Sequence, residues 1–210
     1  VQVNYKIDLT FSNVLRTTLR QDPDIIMVGE MRDKETVEIG LRGALTGHLV
    51  LSTLHTNDSI SSAIRLLDMG APGYLVASSL RGIIAQRLVR RICDNCSVEE
   101  KVSSEAKFWL NTLNEDISNI TFKKGAGCQK CNHSGYRGRV GVFELLEMTE
   151  AMMSSLKNED TSAFSDAARL SPDYKPLAHS ALLYAKEGIT SIDEVLKLVE
   201  MVGDATDEGN

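Results

Sequence analysis

QDPDIIMVGEMRDKETVEIGLRGALTGHLVLSTLHTND, residues 21–58, decides the fold. It holds two apolar runs, residues 25–28 and 49–54, and neither alternates polar with apolar. Each therefore reads as a strand buried on both faces, as in a parallel sheet. Residues 33–45 between them have helical spacing, with Val37, Leu41, Ala44 and Leu45 on one face. Asp33 is placed to cap that helix and Gly47 to stop it. Strand, helix, strand at this length is a βαβ unit with a right-handed crossover. Ligands in such sheets sit beyond the carboxyl ends of the strands. Glu30 follows the first strand and His55 the second, so a carboxylate and an imidazole are expected on one rim. Singly, Glu30 reads as a loop cap and His55 as an ordinary hydrogen-bonded histidine; their matched positions are the more specific signal.

Working outward, residues 1–6 read as a short strand. Residues 10–21 read as a helix with Phe11, Val14, Leu15, Thr18 and Leu19 inward and Arg16 and Arg20 on a solvated face. Pro23 is expected to hold Asp22 extended. A helix carrying Ile60, Ala63, Ile64 and Leu67 ends at Gly70-Ala71-Pro72-Gly73. Residues 74–92 read as one longer helix with Val76, Leu80, Ile83, Ile84 and Leu88 apolar. Its arginines, Arg81, Arg87, Arg90 and Arg91, make a solvated or intersubunit face. With few aromatics between them they are thin as a nucleic-acid surface. A net charge of −6 also argues against a dedicated nucleic-acid binder.

The four cysteines all fall in two Cys-x-x-Cys pairs, Cys93/Cys96 and Cys128/Cys131, with thirty-one residues between the pairs. Four thiolates at this spacing suit tetrahedral zinc with no open position, hence a structural metal. A disulfide framework is the competing reading. It fits a chain without a visible signal peptide poorly, because the cytosol keeps thiols reduced. A redox pair would need only one such motif. Residues 98–119 are polar and acidic, with a helix around Trp109, and read as an insertion tied at its base by zinc. Gly135 and Gly138 shape a turn into a strand over 140–146. Tyr136-Arg137-Gly138-Arg139 keeps a nucleic-acid alternative open. Helices are expected over 150–157, 162–170, 177–187 and 191–199, the last opened by a Ser191/Glu194 capping box.

The strings DPDIIMVGEMRDKET, TGHLVLSTLHTND, CDNC and CQKC closely resemble the secretion ATPase superfamily, the motors of type II secretion and type IV pili. The resemblance is strong over roughly residues 1–147. The cysteines point to its extension or secretion branch, and the wording around residues 39–45 is nearest to the mannose-sensitive haemagglutinin pilus motor. The resemblance implies an α/β fold, the C-terminal part of a RecA-like P-loop NTPase domain with a tetracysteine zinc subdomain and a helical tail. The corresponding divisions are 1–92 for the partial ATPase core, 93–147 for the zinc subdomain, 148–203 for the helical region and 204–210 for a disordered tail.

Residues 25–30 then match a Walker B segment ending in Gly-Glu, and residues 46–57 a histidine box. Glu30 is implied as the carboxylate that handles the attacking water and helps the Mg²⁺ shell. His55 is implied as the γ-phosphate sensor, with His48 as a second nucleotide contact. Gly29 stands where the magnesium aspartate usually sits. The implied cofactors are structural zinc, ATP and Mg²⁺. The implied partners are copies of the chain in a hexameric ring, an inner-membrane platform and cytoplasmic-face assembly proteins, with no nucleic acid. The implied location is cytoplasmic, peripheral at the inner membrane. No Gly-Lys dipeptide occurs in the chain, so the phosphate loop of a P-loop enzyme is expected upstream of Val1 and the chain alone is expected to be inactive. A non-enzymatic zinc adaptor and a related DNA-processing motor are the competing classes. An adaptor has no use for Glu30 and His55 at matched strand ends.

Overall fold

The computed structural model describes residues 4–7, 9–113 and 120–207. In chain order the elements are α1 (Phe11–Thr18), β1 (Ile25–Val28), α2 (Lys34–Leu45), β2 (Leu49–Ser52), α3 (Ser59–Asp68), α4 (Gly73–Ser79), β3 (Gly82–Ile92) and β4 (Ser97–Glu99). They continue with α5 (Ser104–Thr112), β5 (Lys123–Gly125), β6 (Tyr136–Glu147), α6 (Glu150–Lys157), α7 (Thr161–Arg169), α8 (Leu177–Lys186) and α9 (Ile192–Asp207). Most helix starts are set by a side chain that accepts from its own first turn. Thr10, Asp33, Asp58, Ser103, Thr149 and Asp160 do this for α1, α2, α3, α5, α6 and α7.

Two compact units result, Val1–Ile83 with Leu145–Tyr174, and Ile84–Glu144 with Lys175–Asn210. β3 and β6 are hydrogen-bonded neighbours, and each runs from one unit into the other. The first unit contains the expected βαβ. β1 and β2 pair in parallel, Ile25 with Leu49 through Val28 with Ser52. Ile26 and Val28 point into a core made with Leu15, Val37, Leu41, Leu75, Val76, Met152, Leu156 and Phe164. Gly40 and Gly43 let α2 approach: a Cβ on Gly43 would lie 2.9 Å from Leu19 Cδ2.

The strands are not buried on both faces. Ile25, Met27, Leu49 and Leu51 are 61, 74, 53 and 47% exposed, because nothing among the described residues covers the second face. Two smaller differences lie nearby. Leu45, expected inward, is exposed. Asp22 takes φ 53° rather than an extended conformation, a left-handed turn that Asp tolerates better than most residues. Where a strand was expected at the N-terminus, Tyr5–Ile7 form a 3₁₀ turn and Asn4 bridges to Leu9; residues 1–3 lie outside the described residues.

Residues 74–92 are not one helix. α4 stops at Ser79, Leu80 turns extended (φ −69°, ψ 127°), and an eleven-residue strand follows from Gly82. Ile84 and Leu88 are one helical turn apart, which suggested a helix, but they are also an even number apart and share one face of a strand. Both are exposed, while Ile83, Ala85, Arg87 and Val89 alternate inward. The β-branched Ile83, Ile84, Val89 and Ile92 favour the strand.

The second unit packs Val89, Ala106, Leu110, Phe122, Val142, Leu177, Leu182, Ile192 and Val195 together. The polar stretch after the first cysteine pair is therefore more than an insertion. α5 and Phe122 carry part of this core, and β4 and β5 pair antiparallel. Residues 114–119 lie outside the described residues. α9 extends to Asp207, over the first part of the stretch expected to be disordered, and 208–210 are outside the described residues. No described helix is long and apolar enough to cross a membrane.

An ion pair with a buried carboxylate and a half-exposed arginine fixes α9 to β3. Glu194, 6% exposed, accepts from the Arg90 N–H at 3.0 Å, Arg90 Nη2 at 2.8 Å and Lys197 Nζ at 2.8 Å. The Arg90 guanidinium lies 4.0 Å from the Tyr136 ring centroid, and Tyr136 Oη meets Ser191 Oγ at 2.7 Å. Only one arm of the expected capping box forms, Glu194 N–H to Ser191 Oγ at 3.4 Å, since the carboxylate is committed to Arg90 and Lys197. Burial raises the Glu194 pKa, but Arg90 and Lys197 outweigh it and bring the group from 4.5 to about 2. A folded pKa below the unfolded one gives stability that is present above pH 4.5 and is lost as pH falls towards 2. Shared among Arg90, Lys197 and a backbone N–H, and screened because both cations are about half exposed, this contributes on the order of 1–3 kcal/mol at neutral pH. Chemical denaturation across that window should show Glu194→Gln losing the steep acid dependence of the parent; parallel curves would remove the assignment.

Candidate functional site

The parallel register places the ends of β1 and β2 side by side, and two contacts weld the loops that leave them. Thr53 Oγ1 donates to the Gly29 carbonyl at 2.6 Å, and the Met31 N–H donates to the Thr53 carbonyl at 3.2 Å. Above this weld His55 Nε2 lies 3.2 Å from Glu30 Oε2. Arg32 Nε lies 2.7 Å from the same oxygen. The Glu30 side chain is 25% exposed, those of Arg32 and His55 70% and 80%, so the cluster is open to solvent. The Arg32 hydrogen bond holds the Glu30 pKa below the ordinary carboxylate range; partial burial opposes this and His55 adds to it. Glu30 is thus a carboxylate at neutral pH. A Cβ on Gly29 would meet nothing within 4 Å, so the backbone beside Glu30 can be approached closely.

His48 is not part of this cluster. It precedes β2 and so lies at the opposite end of the sheet, about 13 Å of strand away. There its Nδ1 is 2.9 Å from the Gly43 carbonyl and 3.1 Å from Thr46 Oγ1, closing the C-terminal turn of α2. Arg32 is the residue that sequence reasoning missed. Its signal was a cation two positions after Glu30, near enough to meet its carboxylate.

The second cluster is the cysteines. Cys93, Cys96, Cys128 and Cys131 have all four Sγ atoms within 4.8 Å of one another. Three of the separations are 3.9, 3.8 and 3.7 Å, for 93–128, 96–131 and 128–131. Zinc–sulfur bonds of about 2.3 Å in a tetrahedron require sulfur–sulfur edges of about 3.8 Å, so the residues fit a zinc ion. They are free thiols, and no S–S bond joins them. Donors already face the sulfurs: the Cys128 N–H reaches Cys131 Sγ at 3.2 Å and Asn95 Nδ2 reaches Cys128 Sγ at 3.4 Å. Burial opposes the Cys131 thiolate, yet the Cys128 and Gly135 N–H groups outweigh it and bring the thiol down to about 6. Burial and the neighbouring thiols push Cys96 up to about 12.

The knuckle loops close on glycine. A Cβ on Gly125 would fall 1.9 Å from the Gly135 carbonyl oxygen, a backbone atom that cannot step aside. Gly135 itself has φ 78°, and its carbonyl accepts the Cys93 N–H at 2.9 Å. Gly125→Ala should cost about 1–3 kcal/mol from overpacking and speed zinc release measured with a chromogenic chelator. Unchanged release would mean that the two loops do not need this contact.

Residues 1–197 match the family described as Type II/IV secretion system protein. The chain is 39% identical over 199 residues to Type II secretion system ATPase E of Vibrio cholerae serotype O1, covering 95% of the chain and 39% of that protein. It is 42% identical over 196 residues to the Type IV pilus assembly ATPase PilB of Thermus thermophilus, covering 93% of the chain and 22% of that protein. The chain thus spans about two fifths, or less, of the length of these relatives. Among solved structures, the pilus retraction motor PilT with bound ADP superposes with a TM-score of 0.61 at 27% identity, over 90% of the chain and 43% of PilT. Alongside the mixed α/β fold, the match over nearly the whole chain decides the matter: this chain belongs to the type II/IV secretion system protein family, the superfamily of secretion ATPases.

Proposed function

We propose that the chain is the C-terminal part of a ring ATPase that drives pilus assembly or type II protein secretion, in a RecA-like core pinned to a zinc subdomain. The observation that carries this is the Glu30–His55 pair, 3.2 Å apart at the carboxyl edge of a parallel βαβ sheet, where nucleotide chemistry is expected in such folds. Bound Mg²⁺–ATP supplies the phosphoryl group and the cation that offsets its charge. Glu30, an ionised carboxylate, orients the attacking water and accepts its proton. His55 supplies a ring N–H as a hydrogen-bond donor beside Glu30. Gly29 leaves its backbone open to the nucleotide. Cys93, Cys96, Cys128 and Cys131 hold the zinc, which shapes the fold and stands apart from the reaction. Copies of the chain in a ring and an inner-membrane platform are the partners that the reading implies, with the protein on the cytoplasmic side.

The test compares this chain with the full-length protein. The 210-residue chain carries no phosphate-cradling loop and Lys, so it should neither retain ATP nor turn it over. The full-length protein should hydrolyse ATP. Hydrolysis by the chain alone near the median enzyme rate, roughly 10 per second, would place the active site elsewhere. An inert full-length protein would end the ATPase reading.

A further inference from the structure

Glu30, Met31 and Arg32 follow β1, and the Glu30 and Arg32 side chains meet while Met31 between them turns inward. Met31 is 8% exposed and packs into the core of the first unit, while its N–H is bound to the Thr53 carbonyl. One residue further, Asp33 caps α2, its Oδ1 accepting the Thr36 N–H at 2.8 Å. Arg32 is therefore held between two anchored residues with its side chain committed to the side of Glu30. Its Nε reaches Glu30 Oε2 at 2.7 Å, and His55 Nε2 reaches the same atom at 3.2 Å. Both donors converge on one oxygen. Among the described residues nothing hydrogen-bonds Oε1.

We propose that Arg32 is the positioning residue of this site: it pins Oε2 of Glu30, leaving Oε1 as the oxygen that receives the water proton. The inference rests on the ATPase reading given above. Its physical content is twofold. A carboxylate that rotates loses the advantage of orientation as a base; the 2.7 Å ion pair with Arg32 restricts that rotation. A bare carboxylate beside a triphosphate is also repelled by it. The permanent charge of Arg32 offsets that repulsion. Arg32 itself touches neither water nor phosphate in this scheme.

The test is a double-mutant cycle in the full-length protein, with kcat, ATP affinity and thermal midpoint measured on Arg32→Gln, Glu30→Gln and the double variant. Arg32 is 70% exposed, so Arg32→Gln should keep the parent's thermal midpoint. It should lower kcat by about 10–100-fold, the range for losing a group that orients another, with ATP affinity within about threefold of the parent. In the Glu30→Gln background the same substitution should change kcat by less than about twofold, since there is no base left to position. An equal loss of kcat in both backgrounds would overturn the proposal, as would normal turnover of Arg32→Gln beside an impaired Glu30→Gln. A loss carried by weaker ATP binding would overturn it too, making Arg32 a phosphate ligand. Failure of the underlying reading shows separately, as normal turnover in Glu30→Gln alone.

Discussion

Replacing Glu30 by Gln in the full-length protein is expected to slow ATP hydrolysis by about 10²–10⁴-fold, the range for losing a positioned base, with little change in ATP affinity. The substitution keeps the shape and one acceptor oxygen but removes charge and basicity. Ground-state contacts to a nucleotide come mainly from a phosphate loop, which this stretch does not contain, so binding should survive. His55→Ala should also cost rate, but less, because it removes a hydrogen bond and leaves the base. Gln has nearly the shape of Glu and the His55 side chain is four-fifths exposed, so neither substitution should move the thermal midpoint much. A structural role for Glu30 predicts the opposite pattern, a lower midpoint with turnover per folded molecule intact. Measured ATP affinity, turnover and midpoint on the same two variants separate the two cases.

The rim could be located in the sequence because Glu30 and His55 each follow closely on a mainly apolar run, and strand direction does the rest. The same rule places His48 correctly once applied strictly: it precedes β2, so it belongs to the other end of the sheet whatever motif contains it. The cysteines were legible from spacing alone, since two short knuckles constrain their own sulfurs. Residues 74–92 were not, because Ile84 and Leu88 satisfy a helical and a strand period equally. Packing of Ile83 and Val89 on the opposite face decided the outcome, and that is tertiary information. The open face of β1 and β2 also defied reading. An apolar run states that a strand wants both faces covered, and the cover belongs to no particular segment of sequence. Phe122 and Leu110 were hidden for a related reason: they pack with residues of α8 and α9, more than fifty positions away.

Removing zinc should do more than loosen a surface loop. Metal analysis of protein purified without added zinc should return about one equivalent per chain. Structural zinc sites carry apparent binding energies of about 10–16 kcal/mol in peptides at neutral pH, as large as a domain's usual stability of about 5–15 kcal/mol. The four sulfurs draw together segments that are otherwise joined by few backbone bonds, Cys93 N–H to the Gly135 carbonyl and Ala126 N–H to the Cys96 carbonyl among them. β5 leads directly from Phe122 into the second knuckle, so without the ion the Phe122 and Leu110 part of the second core loses its anchor. Chelation, or Cys128→Ser, should therefore speed amide exchange throughout β4, β5 and α5, and partly in α8 and α9. Protection in β1, α2 and β2, which share the core of the first unit, should stay as in the parent. Acid should mimic the chelator, because ligands that must be thiolates lose the metal when protonated. Less than half an equivalent of metal, with the thiols recovered as disulfides, would defeat the zinc assignment. Full protection of β4 and β5 after complete chelation would show instead that the second core holds these strands by packing alone.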